Sequence, residues 1–98
     1  MNVEKFKNGD ALTLAVSGRL DTETAPQLDE IITSSIDGIT SLILDIKNLE
    51  YISSAGLRVL LKSHKAMTSQ GSMKIVNVSD IVRSIFEVTG FTDILTIE

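Results

Sequence analysis

Ser53, Ser54 and His64 are the residues of this chain whose types and spacing raise the question of a reaction. The serines lie side by side in LEYISSAGLRVLL, residues 49–61, between an apolar approach and a leucine-rich run. A serine in that position can cap a helix, act as a nucleophile or accept a phosphate. Ile52-Ser53-Ser54-Ala55-Gly56 holds half of the G-x-S-x-G elbow, with Ile52 where the first glycine belongs. The base would have to be His64, the single histidine, ten positions further along the same expected helix. At about 1.5 Å per residue that is roughly 15 Å, against the ~3 Å that a hydrogen-bonded nucleophile and base require. Distance therefore excludes a Ser–His hydrolase, and no enzyme is expected. His64 sits at i+4 from Leu60 and i+7 from Leu57, and reads as a histidine at the edge of the core.

Metal and cofactor chemistry find no support. One histidine and scattered carboxylates make no recognisable ligand set. Neither G-x-x-x-x-G-K-[ST] nor G-x-G-x-x-G is present, so no cofactor is expected. Asp29, Glu30, Asp45 and Glu50 read as solvated or capping groups.

The remaining readings of the serines share one geometry. Serine is a preferred N-cap because its hydroxyl accepts a backbone N–H of the first turn. If Ser53 caps, Ser54 is the first helical residue and its hydroxyl faces solvent. A phosphate there meets free N–H groups and the positive end of the helix dipole. It would carry about −1.5 to −2 charges. The helix end stabilises such a charge by roughly 0.3–1 kcal/mol, so modification leaves the fold intact. At a protein interface, like charges brought together cost several kcal/mol. The physics favours a binding switch over a folding switch.

The elements that must hold these serines follow from periodicity. Val3 and Phe6 lead into Asn8-Gly9-Asp10, and ALTLAVS alternates Leu12, Leu14 and Val16, which predicts a hairpin of two antiparallel strands breaking after Gly18. Thr24 and Gln27 have capping-box spacing and Pro26 falls in the first turn of a helix over about 24–35. On that helix Leu28, Ile31, Ile32 and Ser35 share a face. SLILDI, residues 41–46, suits a central strand covered on at least one face. A short connection with Asn48 and Glu50 then leads to the serines. Leu57, Leu60, Leu61 and Met67 carry the helix, with Gly71 as its C-cap. SMKIVNV is a strand, and SDIVRSIFEVTG a helix with Ile81, Val82, Ile85 and Phe86 on one face and Gly90 at its stop. FTDILTIE closes as a short strand or irregular tail. The order ββαβαβα(β) implies a small α/β domain with a mixed, mostly parallel sheet and packed helices.

The 98 residues are read as one domain, with a mean hydropathy of +0.22 and 43% apolar residues, enough for one core. Thirteen acids against nine bases leave a net charge of −4, and no Lys/Arg run or aromatic platform offers a nucleic-acid surface. The chain has no cysteine, no apolar segment at its polar start and no run near the ~20 residues of a membrane helix, so a cytoplasmic protein without membrane contact is expected.

Three segments together resemble the STAS family, specifically the bacterial anti-sigma factor antagonists. Ser53-Ser54-Ala55-Gly56-Leu57-Arg58 is similar to its D-S-[ST]-G-L-[GR] motif. GRLDTETAPQL resembles G-x-L-D-x-x-T-A-x-x-L, and FEVTGFTDILTI resembles F-x-x-[TS]-G-L-x-x-x-x-x-I. They stand in family order from Gly18 to Ile97. The resemblance implies a protein whose unphosphorylated form binds an anti-sigma factor that is also a serine kinase of GHKL type, and so frees a sigma factor. Phosphorylation at the position of Ser54 ends that binding, and a serine phosphatase restores it. The partner-binding surface it implies comprises Asp21, Ser53, Ser54, Ala55, Gly56 and Arg58. Ser53 stands where the motif has aspartate, which removes a charge beside Ser54 and makes Ser53 the competing acceptor. Ala55 replaces the second hydroxyl. The alternative in the same fold is a subunit that binds the ATPase of a lipid or anion transporter.

Overall fold

Gly9 takes φ +63°, which glycine adopts at little steric cost, and turns β1 (Asn2–Asn8) back onto β2 (Ala11–Leu20). This computed structural model describes residues 1–98. After β2 come α1 (Ala25–Ser35), β3 (Ser41–Asp45), β4 (Leu49–Ile52), α2 (Ser54–Thr68), β5 (Ser72–Val76) and α3 (Asp80–Thr89), then a single 3-10 turn, Phe91–Asp93. The sheet order is β1-β2-β3-β5, with only β1 antiparallel to its neighbour. The expected mixed, mostly parallel α/β architecture is present.

One strand was not legible. The stretch read as a connection with Asn48 and Glu50 contains β4, which pairs in parallel with β2 at Gly18–Leu20. β3 occupies the earlier half of the same β2 edge, at Ala11–Ala15. The chain thus runs along β2 twice, interrupted by Ile46–Asn48. A register shift between Gly18 and Arg19 accommodates the break, and Gly18 takes φ +87° there. For the same reason β2 does not break after Gly18 but continues to Leu20.

Strand alternation puts Leu12, Leu14 and Val16 of β2, Leu42 and Leu44 of β3, and Met73 and Ile75 of β5 on one buried face. Against it pack Leu28 and Ile32 of α1, Leu57, Leu60 and Met67 of α2, and Val82 and Phe86 of α3. Each such side chain contributes about 1.5–3 kcal/mol when fully buried. Ile81, expected on the core face of α3, is 66% exposed; the buried stripe is only Val82 and Phe86, with Ile85 at its edge. The closing segment forms no full strand, only a single parallel bridge of Ile97 to Ile75.

The helix ends differ from expectation in chemistry more than in place. Thr24 precedes α1, but its side chain makes no cap bond to the helix; its hydroxyl bonds to the Arg19 carbonyl and the Asp21 N–H. α2 ends with Ser69 at the C-cap in right-handed conformation, not with Gly71. Gly71 donates its N–H to the Met67 carbonyl at 2.7 Å and passes close to Thr40, whose carbonyl accepts from the Ser72 N–H at 2.9 Å. A Cβ on Gly71 would overlap the Thr40 carbonyl group. The Gln70 amide donates to the carbonyls of Ile36 and Ile39 at 2.7 and 2.6 Å, tying the end of α2 to the loop after α1. Gly71→Ala is therefore expected to cost about 1–3 kcal/mol, as overpacking does. A lower urea midpoint at unchanged slope would show it, and an unchanged midpoint would mean the two backbones can part freely.

Candidate functional site

The site is built where β2 and β4 end side by side. Ser53 follows Ile52 in extended conformation (φ −94°, ψ 175°), and its N–H donates to the Leu20 carbonyl at 2.9 Å. Its carbonyl accepts the first helical bond from the Leu57 N–H at 2.9 Å, and its Oγ accepts from the Gly56 N–H at 3.4 Å. Ser53 is thus the N-cap of α2, held by a long and weak cap bond. Ser54 is the first residue of the helix and exposed, and its hydroxyl has no protein partner among the side-chain hydrogen bonds. The N–H groups that a helix start cannot satisfy internally lie at this end.

Gly56 is buried beneath the serines. A Cβ there would stand 2.7 Å from Leu20 Cγ and 2.8 Å from Ile52 Cγ1. Only glycine lets the first turn settle onto the two strand ends. Gly56 therefore sets the height of Ser54 and does not itself reach the surface on which it was expected.

Asp21 supplies the second wall. Its Oδ1 accepts the backbone N–H groups of Glu23 (3.0 Å) and Thr24 (3.1 Å). Thr24 Oγ1 accepts from the Asp21 N–H at 2.9 Å and donates to the Arg19 carbonyl at 2.8 Å; its 3.1 Å approach to Asp21 Oδ1 is the alternative for the same hydrogen. This closed turn consumes the hydroxyl that a capping box would have used. The Thr24 N–H, foremost, holds the Asp21 carboxyl below its ordinary pKa, against a smaller opposing effect of partial desolvation. The Thr24 hydroxyl, the Glu23 N–H and the Arg19 guanidinium, 4.0 Å away, add to the lowering.

Arg19 and Tyr51 were not singled out from the sequence. The β2–β4 register pairs them, and the guanidinium lies 4.4 Å from the centre of the Tyr51 ring. Being 32 positions apart, they carry no local signal. Arg58 lies four residues after Ser54 on the exposed side of α2, at the mouth of a groove of about 390 Å³ between α1 and α2. Ala55 is half-buried and lines the same groove. Asp21, Ser53, Ser54, Ala55 and Arg58 thus gather at one end of the molecule.

His64 lies on the same continuous α2 as Ser54, ten residues on. The rise of about 15 Å keeps it from serving Ser54 as a base. Its Nδ1 is buried without a hydrogen-bond partner. No group of three or more His, Cys, Asp or Glu side chains is close enough to hold a metal ion, and no helix is long and apolar enough to cross a membrane.

The STAS domain family model matches residues 2–98, so the chain belongs to the STAS domain family. Two relatives named anti-sigma-B factor antagonist, from Staphylococcus aureus (strain NCTC 8325 / PS 47) and Bacillus subtilis (strain 168), are each 30% identical to it. The matches span 97% and 99% of this chain, and 90% of each relative. Among solved structures, an anti-sigma factor antagonist from Mycobacterium paratuberculosis superposes with a TM-score of 0.89 at 22% identity, over 98% of this chain and 83% of that one. The antagonist SpoIIAA of Bacillus superposes in its unphosphorylated form with a TM-score of 0.85 (19% identity, 99% of this chain, 88% of that one). Its phosphorylated form gives 0.77 (18% identity, 99% and 91%). These structural likenesses establish the shared fold.

Two substitutions separate the serines by physics alone. Ser53→Ala should destabilise the domain by about 0.5–2 kcal/mol, toward the low end for so long a cap bond, while Ser54→Ala leaves stability unchanged. Urea unfolding of both variants measures this, and equal midpoints would refute the division. For Asp21 the folded-state pKa lies below the unfolded one, so its carboxylate adds stability that is present above about pH 4 and lost as pH falls through the folded value. Asp21→Asn should melt below wild type at pH 7, and the gap should close as the pH is taken toward 2; a gap independent of pH would contradict the assignment.

Proposed function

We propose that this domain is an anti-sigma factor antagonist: unphosphorylated, it binds an anti-sigma factor that is also a serine kinase of GHKL type and so releases a sigma factor. Phosphorylation of Ser54 switches the binding off, and a serine phosphatase restores it. The observation that carries this reading is the separation of the two serines at the start of α2: Ser53 is engaged as the cap and Ser54 is exposed with a free hydroxyl. The relatives' names support the antagonist role over nearly the whole chain, and the structures of SpoIIAA in both states are in keeping with a fold that persists through phosphorylation.

The physical consequence follows from position. A phosphate on Ser54 replaces a neutral hydroxyl by about −1.5 to −2 charges at the rim of the Asp21–Arg58 surface. The helix dipole offsets part of that charge within the domain, while a partner seated on this surface meets it desolvated. The domain acts by binding, and Ser54 is a substrate of the partner's chemistry, not a nucleophile of its own. The surface available to that partner is Asp21, Ser53, Ser54, Ala55 and Arg58, with Gly56 beneath.

Capture from source cells with immobilised Ser54→Ala is the direct test. A GHKL-type ATPase kinase should be retained, and Ser54→Asp should fail to retain it. With that kinase and ATP, intact mass should rise by one phosphate in wild type and not in Ser54→Ala. A label that persists in Ser54→Ala moves the acceptor to Ser53. Capture of a transporter ATPase instead, equally by Ser54→Ala and Ser54→Asp, overturns the reading.

A further inference from the structure

The helix that begins at Ser54 carries no acid. Within SAGLRVLLKSHKAMT the charged side chains are Arg58, Lys62 and Lys65, in a chain whose net charge is −4. All three are exposed, and their spacing of four and three residues puts them in one stripe along the solvent side of α2. Lys62 is held by Asp29 of α1, with its Nζ 3.0 Å from Oδ1 and 3.1 Å from Oδ2. Neither Arg58 nor Lys65 joins an ion pair. Stability accounts for part of the stripe, since Lys62 pairs with Asp29 and Lys65 stands in the last turn, where the dipole favours a cation. It does not account for Arg58, which lies toward the positive end of the dipole and four residues from a like charge.

The stripe is flanked by recesses on both sides. The 390 Å³ groove between α1 and α2 is lined by Ala25, Pro26, Ala55 and Val59 together with Arg58 and Lys62, and its one acid, Asp29, is already paired with Lys62. A smaller recess of about 340 Å³ lies between Arg58, Leu61, Lys62 and Lys65. Cations alternating with apolar hollows along one helix are complementary to an amphipathic segment that alternates carboxylates with apolar side chains.

We propose that the Arg58–Lys62–Lys65 face of α2, with the α1–α2 groove beside it, is a docking surface for an acidic amphipathic segment of a partner protein. This deepens the antagonist reading and rests on it for the partner's identity, since the face runs directly from Ser54. An anionic membrane or a nucleic acid fits less well: the apolar features beside the cations are hollows that accept side chains, not projections that enter a bilayer, and no aromatic platform accompanies the stripe to stack bases. The geometry also adds to the switch. A phosphate on Ser54 stands at i−4 from Arg58, within reach of its guanidinium, and would withdraw that cation from a bound carboxylate.

The face can be tested with and without the natural partner. A synthetic amphipathic peptide with glutamates at i, i+4 and i+7 beside leucines, titrated into the ¹⁵N-labelled chain, should shift amides of residues 58–65 and 25–29. The response should disappear in Lys65→Glu, persist in Lys47→Glu, in the turn before β4 and outside both recesses, and be absent for the same peptide with lysines in place of glutamates. No shifts, or shifts elsewhere, overturn the proposal. With the anti-sigma factor captured by Ser54→Ala, Arg58→Glu and Lys65→Glu should each weaken binding by about tenfold, mainly in the salt-dependent association rate. Wild-type affinity in both variants refutes the face while leaving the Ser54 switch standing. If no anti-sigma factor is captured, that reading fails and the peptide titration alone decides the face. Binding to phosphatidylserine vesicles that Lys65→Glu abolishes, with no peptide response, would replace the proposal by a membrane role.

Discussion

The hydrogen bond from the Ser53 N–H to the Leu20 carbonyl joins the ends of two strands, and the arrangement of the site depends on it. β2 is ten residues long, enough to take β3 on its first half and β4 on its second. Because β4 follows that second half, the chain emerges beside the Arg19–Thr24 turn and starts α2 there. Gly56 then lets the helix descend onto Leu20 and Ile52, where any side chain would hold it away. Without this pairing Asp21 and Ser54 would be parts of unrelated loops.

Two polar turns hold the surface together without drawing on the exposed serine. The Asp21 carboxylate and Thr24 hydroxyl satisfy the backbone of residues 19–24, and Ser53 satisfies the start of α2. The Asp21 carboxylate and the Thr24 and Ser53 hydroxyls are thus engaged with backbone, while the Ser54 hydroxyl makes no such bond. A charge added to a group that bears no structural bond alters the surface and spares the fold. The same independence holds for the basic stripe on α2, whose end cations bind nothing within the domain. A phosphate would join these features by setting a dianion beside Arg58.

Local patterns failed wherever a residue had two possible partners. Thr24 and Gln27 have capping-box spacing, yet the Thr24 hydroxyl bonds to Arg19 and Asp21, because the closed turn before α1 competes for it. Gly71 looked like a helix cap and is instead a point of close approach to Thr40, a contact made across 31 positions of sequence. Ile81 fits the apolar period of α3 and still faces solvent, since the helix is seated on its Val82–Phe86 line and Ile81 lies beside that line. β4 has four residues, too few for a period, and only its partner β2 makes it a strand.

The sequence by itself determined the succession of elements, the buried face of each long one, and the start of α2 with Ser53 and Ser54 in different positions. Those properties arise from side-chain period and from the cap, which act over three or four neighbouring residues. Tertiary structure decided that Asp21 and Ser54 share a surface, that Arg19 stacks on Tyr51, and that Gly56 rather than any larger residue sits under the helix start. It also decided that a groove runs beside the cations of α2. Each of these depends on strand register and on the distance between backbones far apart in the chain, which no local pattern encodes.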